Sequence, residues 1–531
     1  MDADSRFDLI VIGGGINGAA IAREAALSGI KVLLLEKDDF CAGTSAASTR
    51  LIHGGLRYLE HAELRLVRES LSERERLLKT APHLVEPLEI FLPVTRHSRR
   101  GRLTVRLGLT LYDLLSPGKS LPRHRALGLT DLHRTLPGLV PDGLVGGAAY
   151  FDAQVRFPER LVLELALDAE AAGATLASHT AARELIVDGG RIAGVAWRSG
   201  GQSGIARARA VVNATGPWVD SLLGRAGAAR LIGGTRGSHL ITLSFQGAPA
   251  RAVYAEAESD GRPFFVIPWN GLYLIGTTDE RDTGDPGSAV MTADEYDYLI
   301  AETRRLFPGA TDLERAVCYT CSGIRPLPSS GSATTAAITR AHLVVADPAI
   351  AGLFSIVGGK LTTHRALAAE CVRKLRPALG KREPSPTLER PLPGALDAED
   401  REVLLADASR AVGPSTADRW WRTYGGASRA LLVRAGESPE LGQRIGPASD
   451  LVVAELVHAL EVERARTLID LLRRRTMAGL AADLGRRDAK PAADWLVRLG
   501  FWDTERAAAE LTAYGEFIRR FAVPRRPPAE S

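Results

Sequence analysis

The chain has 531 residues, 45% of them hydrophobic and 24% charged, with a net charge of +4. That is a globular composition with no whole-chain nucleic-acid footprint, and at about 100–200 residues per domain it predicts about three domains. The four cysteines, Cys41, Cys318, Cys321 and Cys371, are too few for a disulfide scaffold and fit a reducing compartment.

In chain order, Phe7 to Ile12 (FDLIVI) is a short apolar run, the pattern of a buried parallel strand. GGGINGAAIAREAALSG then passes from small residues into a helical pattern that Gly29 ends, and Lys31 to Glu36 (KVLLLE) is the next strand. No charged and apolar leader precedes the first strand, so no signal peptide is expected. Ser48 to His61 (STRLIHGGLRYLEH) is unusually rich in histidine, arginine and glycine, and Arg57 and Tyr58 read as opening a charged helix whose later arginines are solvated. Arg96 to Leu115 begins with a basic cluster and continues as an apolar segment. Leu161 to Ala172 is a helix. Ala208 to Ala214 ends a strand, and from Gly237 to Cys321 strand signals alternate with turns, as in an antiparallel sheet. Leu353 to Val357 is one more strand. Lys381 to Gly394, rich in proline and charge, reads as a linker, and Ala398 to Phe521 reads as helical throughout. Cys318 and Cys321 form a C-x-x-C, but in a strand positions three apart point to opposite faces, so no redox or metal role is expected. No run of about 18–20 apolar residues suggests a membrane-spanning helix.

Gly13-x-Gly15-x-x-Gly18 follows the first strand and opens the helix. Such glycines permit a tight turn, backbone approach to a pyrophosphate and close helix–strand packing, and the helix N-terminus attracts negative charge. Glu36 stands at the end of the second strand, where a carboxylate accepts hydrogen bonds from a ribose diol. Strand, helix, second strand and acid together predict a dinucleotide site. Three later segments point to FAD: the hydroxyl-rich stretch holding Thr44, Ser45 and Ser48; Ala214-Thr215-Gly216 at a strand end; and Gly358-Gly359-Lys360-Leu361 before a helix. Together they resemble the glycine and D-amino acid oxidase superfamily of flavoenzymes.

HGGLRYLE after TSAAS resembles the signature of the FAD-dependent, quinone-linked glycerol-3-phosphate dehydrogenases. NATGPWVD, RGSHL, IGTTD, SGIRPL, AITR, GGKLTTHR and LLRRRT follow in that family's order. The resemblance implies an α/β fold: a Rossmann-like FAD-binding domain interleaved with a mostly antiparallel β substrate domain, plus an all-α C-terminal domain. The expected segments are 1–85, 151–232 and 336–380 for FAD, 86–150 and 233–335 for substrate and membrane, a linker at 381–397, and helices at 398–525. It further implies oxidation of sn-glycerol 3-phosphate to dihydroxyacetone phosphate with non-covalent FAD, and transfer of the electrons to a membrane quinone.

Independently of any family, oxidising a secondary alcohol with a flavin needs a base for the hydroxyl proton, and a phosphorylated substrate needs cations to hold it. His53 and His239 are both candidate bases. Arg57, Arg325, Arg340 and Lys360 are candidate anion clamps, Tyr58 adds a hydroxyl, and Lys360 also suits stabilisation of a reduced flavin. Arg340 is expected at a strand end. The basic and apolar segment from Arg96 suits an anionic bilayer surface, so a peripheral place on the inner face of the cell membrane is expected. No metal or nucleic-acid site is indicated. An oxidase using oxygen, an amino acid oxidase and a flavin-binding regulatory protein are the alternatives; the C-terminal helices are expected either to form a homodimer interface or to cap the substrate domain.

Overall fold

β1 (Asp4–Ile12), α1 (Ile16–Leu27) and β2 (Val32–Leu35) form a parallel β–α–β unit in which Leu9 pairs with Val32 and Ile12 with Leu35. The computed structural model describes residues 4–224, 230–329, 338–380 and 383–524. The first sheet runs in the order Leu343–Ala346, Leu353–Val357, Gln202–Asn213, β1, β2, Thr175–Ala177. Its strands are parallel except at the Leu343–Ala346 edge, and an antiparallel hairpin, Ala181–Asp188 with Arg191–Ser199, extends it.

The strands of this sheet read as continuous apolar runs because both faces are covered. Leu9 and Val11 pack with α1 and with the helices Pro158–Ala171 and His364–Leu379, while Ile10 and Ile12 pack on the opposite face with Ile192, Val195 and Trp197 of the hairpin. Alternate side chains of a strand point to opposite faces, so one run serves two cores.

The second sheet has ten strands and is mostly antiparallel. Its path runs from Thr235–Thr242 through Leu272–Gly276, Pro263–Trp269 and Ala252–Glu256 to Val85–Thr95 and Leu144–Val155. Val317–Arg325 pairs along Thr235–Thr242, setting Cys321 opposite His239 and Arg325 opposite Thr235. One face carries the helix Ala293–Leu306; the other carries α2 (Leu64–Thr80), α3 (Arg102–Leu114) and the C-terminal helices.

Several local expectations change. Arg57 and Tyr58 do not open α2 but sit on a separate 3-10 segment, Leu56–His61, after the left-handed Gly55. Arg74, read as solvated, is buried and donates to Asp152 (2.6 Å) and Glu75 (2.7 Å). Charge in a helix marks exposure only where no buried partner faces it, and the partner Asp152 is far away in sequence. Arg340 is not on a strand; it lies in the loop before Leu343–Ala346, and Ala336 and Ala337 fall outside the described residues. The proline-rich segment lies against the first domain: Leu392 is buried and donates its N–H to Thr80 O, and Arg390 pairs with Asp168.

The C-terminal helices are joined to the first domain by a buried ionic cluster. Asp39, four residues beyond β2, accepts from Arg474 Nε (2.7 Å) and from Arg475 Nη1 (2.7 Å) and Nη2 (2.8 Å). Asp470 accepts from Arg474 Nη2 (2.6 Å) and pairs with His179 Nε2 (2.9 Å). Asp39, His179 and Asp470 bring ligand-type atoms within 4.8 Å of one another, but the two guanidiniums already bond the carboxylates. Removing one partner of a buried pair strands the other, at a cost of about 3–5 kcal/mol. Asp39→Asn is therefore expected to lower the denaturant midpoint of the C-terminal unfolding transition; a midpoint equal to wild type would show that the cluster does not hold the domain.

Candidate active site

A cavity of ≈ 750 Å³ runs from the end of β1 into the second sheet. Its first part is formed by the glycine-rich turn. Gly13 has φ +108, and a Cβ there would lie 2.5 Å from Ala214 O. A Cβ on Gly18 would lie 1.8 Å from Gly13 O, so Gly18 serves helix–strand packing and is the one predicted cofactor residue that does not line the cavity. Gly15 lines it, at the N-terminus of α1.

Glu36 lines the cavity while accepting from Gly14 N (2.6 Å) and Asp38 N (2.8 Å). Burial pushes its carboxyl above the ordinary value, and the two backbone N–H groups oppose that rise. The hydroxyl-rich loop is divided in its roles. Thr44 donates to Ile324 O (2.6 Å), tying the loop to the second sheet. Ser45 Oγ accepts from Ile16 N (3.0 Å) and Ser48 Oγ from Arg50 N (3.2 Å), so each keeps its own O–H for another acceptor. Thr215 donates to Asn213 Oδ1 (2.6 Å). Ala214, Thr215 and Gly216 line the cavity at one point, and Gly358, Gly359, Lys360 and Leu361 at another.

These residues fit a dinucleotide. The Oδ1 atom of Asn17, in the first turn of α1, is buried with no partner among the described residues, while its Nδ2 donates to Gly358 O (3.4 Å). An orphaned acceptor there suits a ligand N–H or O–H. Lys37 lies 4.0 Å over the Trp218 ring, and both line the cavity at the Glu36 end.

The other end of the cavity holds His53, His239, Arg57, Tyr58, Arg325, Arg340 and Lys360 together, although they come from four distant parts of the chain. Lys360 Nζ donates to Ser70 Oγ (2.9 Å), His53 O (3.3 Å) and Gly54 O (3.4 Å), and lies 4.6 Å over the Tyr58 ring. Burial lowers the Lys360 ammonium. Burial raises the Tyr58 phenol, but Lys360, Arg340 and Arg57 outweigh it and hold it below its ordinary value. Burial brings the Arg325 guanidinium down to about 10, with Arg340 and Arg57 adding to the drop and Asp279 opposing it; it stays protonated at neutral pH.

The two histidines differ. His53 lines the cavity and carries no ring hydrogen bond among the described residues. Burial, then Lys360 and Arg57, drive its imidazole well below the ordinary value, so it is neutral. His239 pairs its Nε2 with Thr49 Oγ1 (3.0 Å), its Nδ1 is buried without a partner among the described residues, and burial lowers it to about 3. A neutral imidazole with an open nitrogen can accept a proton; one tied at Nε2 and sealed at Nδ1 is less able to.

Sequence reading missed Asp279, Thr277 and Asn17. Asp279 Oδ1 accepts from Arg325 Nη1 (2.9 Å), its Oδ2 accepts from Arg340 Nη2 (3.4 Å), and Thr277 Oγ1 accepts from Arg325 Nη2 (2.8 Å). The signal was present in IGTTD and GGGINGAA, but polar residues at a turn carry no mark of what they face. Cys321 lines the cavity and Cys318 does not, as opposite faces of one strand require.

Residues 8–365 match the FAD dependent oxidoreductase family, and residues 385–507 match the C-terminal domain of alpha-glycerophosphate oxidase. A glycerol-3-phosphate dehydrogenase of Synechocystis is 42% identical over 543 residues, covering 98% of each chain. A D-erythritol 1-phosphate dehydrogenase of Brucella abortus is 38% identical, covering 88% of this chain and 94% of its own. The structure of a glycerol-3-phosphate dehydrogenase from Bacillus halodurans complexed with FAD superposes with a TM-score of 0.81 at 28% identity, covering 98% of this chain and 96% of that one. The match to the Synechocystis protein runs nearly end to end in both chains, and the chain belongs to the glycerol-3-phosphate dehydrogenase family of FAD-dependent oxidoreductases.

Proposed function

We propose that this chain oxidises the C2 hydroxyl of sn-glycerol 3-phosphate to the ketone of dihydroxyacetone phosphate and passes the electrons to a membrane quinone. The observation that carries the reading is the convergence of Arg57, Arg325, Arg340 and Lys360 on the cavity that the glycine-rich turn opens. FAD, when bound, supplies the acceptor for the hydride leaving C2. Arginines match a phosphate with planar, charge-assisted hydrogen bonds, and burial strengthens each contact. A carboxylate substrate, as in an amino acid oxidase, would not need four cations.

His53 is the base in this reading. Burial and the neighbouring cations keep it neutral, it lines the cavity, and Arg57, four residues on, belongs to the phosphate clamp in this reading. The C2 hydroxyl proton passes to a ring nitrogen as the C–H bond breaks. Lys360 keeps the His53–Gly54 backbone in place and brings positive charge to the same end of the cavity.

The membrane reading rests on α3. Leu103, Leu107, Leu111 and Leu114 are 70%, 62%, 38% and 78% exposed, and their spacing places them on one face of the helix. Exposed Arg102 and Arg106 lie on the same helix and Arg96 just before it, which suits an anionic headgroup layer. Arg99 and Arg100, counted in that basic cluster from sequence, instead bond within the protein: Arg99 to Asp260 O (2.8 Å), and Arg100 to Glu60 and Glu256. No helix among the described residues is long and apolar enough to cross a membrane.

Glycerol 3-phosphate added without oxygen is expected to bleach the flavin absorbance, where glycerol and glycine do not. Bleaching by D-erythritol 1-phosphate alone would reassign the substrate. Fast reoxidation by a short-chain quinone and slow reoxidation by air would support the dehydrogenase; fast reoxidation by air with peroxide would mean an oxidase. His53→Ala is expected to lower kcat about 10²–10⁴-fold with normal flavin content, and a larger loss in His239→Ala would move the base to His239. Arg325→Ala should lower kcat/KM roughly tenfold or more; an unchanged value would remove it from the site. Wild-type protein should float with anionic liposomes at low salt, while Leu103→Glu with Leu107→Glu should stay at the bottom of the gradient and still be reduced by substrate. Equal flotation of the two would discard α3 as the contact.

A further inference from the structure

Arg325 and Arg340 reach the substrate end of the cavity from different places: the end of the strand Val317–Arg325 and a loop beyond it. Two like charges packed together in a buried site repel each other, and a flexible guanidinium does not hold its plane unaided. Asp279 answers both problems. It follows the strand Leu272–Gly276, its side chain is 10% exposed, and each of its oxygens takes one guanidinium, Oδ1 that of Arg325 and Oδ2 that of Arg340. Burial pushes its carboxyl up, but Arg325, Arg340 and Arg57 outweigh that and hold it below the ordinary value, so it is ionised at neutral pH.

The rest of the Arg325 fork is also held. Its Nη2 donates to Thr277 Oγ1 and to Thr278 O (3.0 Å), and its Nη1 also reaches Arg236 O (3.3 Å). Among the described residues Arg340 is held at one nitrogen, and its Nε is buried without a partner. Arg340 lines the cavity at the end where a phosphate oxygen would arrive, and a guanidinium there suits such an acceptor.

We propose that Asp279 is a positioning residue for substrate recognition: by bridging Arg325 and Arg340 it presents the two guanidiniums as one preset clamp for the phosphate of a phosphorylated alcohol. This rests on the functional reading above. The bridge makes an electrostatic paradox testable. Removing a negative charge from an anion site should tighten anion binding if charge alone matters. It should weaken binding if orientation matters.

The test is steady-state kinetics of the flavin-loaded Asp279→Asn protein with glycerol 3-phosphate, with inorganic phosphate as a competitive inhibitor. The expected result is a KM and an inhibition constant for phosphate both raised, on the order of tenfold to a hundredfold, with kcat within about threefold of wild type and flavin content unchanged. Asp279→Glu, which keeps the charge and moves it by one methylene, should recover part of the loss. A KM and phosphate inhibition constant equal to wild type, or lower, would overturn the inference and leave Asp279 as a bare counter-ion. If Asp279→Asn fails to hold flavin, Asp279→Ser decides in its place: a raised KM with kcat kept supports the clamp, and a wild-type KM overturns it. Wild-type protein that glycerol 3-phosphate does not reduce would overturn the functional reading itself, an outcome separable from a variant that behaves like a competent wild type.

Discussion

The buried carboxylate of Asp39 is the constraint on which the arrangement of domains turns. It sits on the loop that leaves β2, where Glu36 to Asp38 and Cys41 to Arg50 line the cavity. Arg474 and Arg475 reach it from the C-terminal region, and Arg475 Nε also donates to Glu463 O (2.8 Å). Glu463 in turn takes both terminal nitrogens of Arg160, on the helix Pro158–Ala171. Charges this deep are tolerated because each is matched by a bidentate or multiply bonded partner. The helical domain thus bears on the cofactor loop through directional bonds, besides the apolar packing it makes on the second sheet.

The same logic governs the cavity. One end is assembled from backbone: tight glycines, a helix N-terminus and strand ends, a surface suited to the phosphates of a dinucleotide. The other end is assembled from long cationic side chains, which need restraint. Lys360 is restrained by two carbonyls and Ser70, Arg325 by Asp279, Thr277 and two further backbone carbonyls, and Arg340 by Asp279. Behind Gly54, the Arg74–Asp152 pair and the Tyr112 hydroxyl make a rigid floor, and a Cβ on Gly54 would lie 2.5 Å from that hydroxyl. The cations at that end are preorganised by protein partners, which keeps the cost of ordering the site low when an anion arrives.

The segment Leu56–His61 links these parts to the surface. It carries Arg57 and Tyr58 into the cavity, and Glu60 on the same turn pairs with Arg100, just ahead of α3. Glu63, at the start of α2, accepts from Thr339 (2.7 Å), next to Arg340. The cavity's cations are therefore tethered on one side to the helix with the exposed leucines and on the other to the loop before Leu343–Ala346.

The sequence by itself determined the parallel β–α–β unit, the dinucleotide turn and the places of several later strands along the chain, because each is written in local terms: apolar runs, glycine spacing and turn residues at fixed offsets. Its motifs also named the histidines and cations that line the cavity. What only the tertiary structure decided is pairing across distance. Arg74 reads as a surface charge until Asp152 is folded against it, and Arg340 reads as a strand end until the loop that carries it is seen. Asp279 is an ordinary turn residue until two arginines from separate segments close on its two oxygens. Asp39 and Arg475, 436 positions apart, carry no periodic signal linking them. Local propensity is encoded residue by residue, but the burial of a charge depends on which partner the fold delivers to it, and that partner is chosen by the packing of the whole chain.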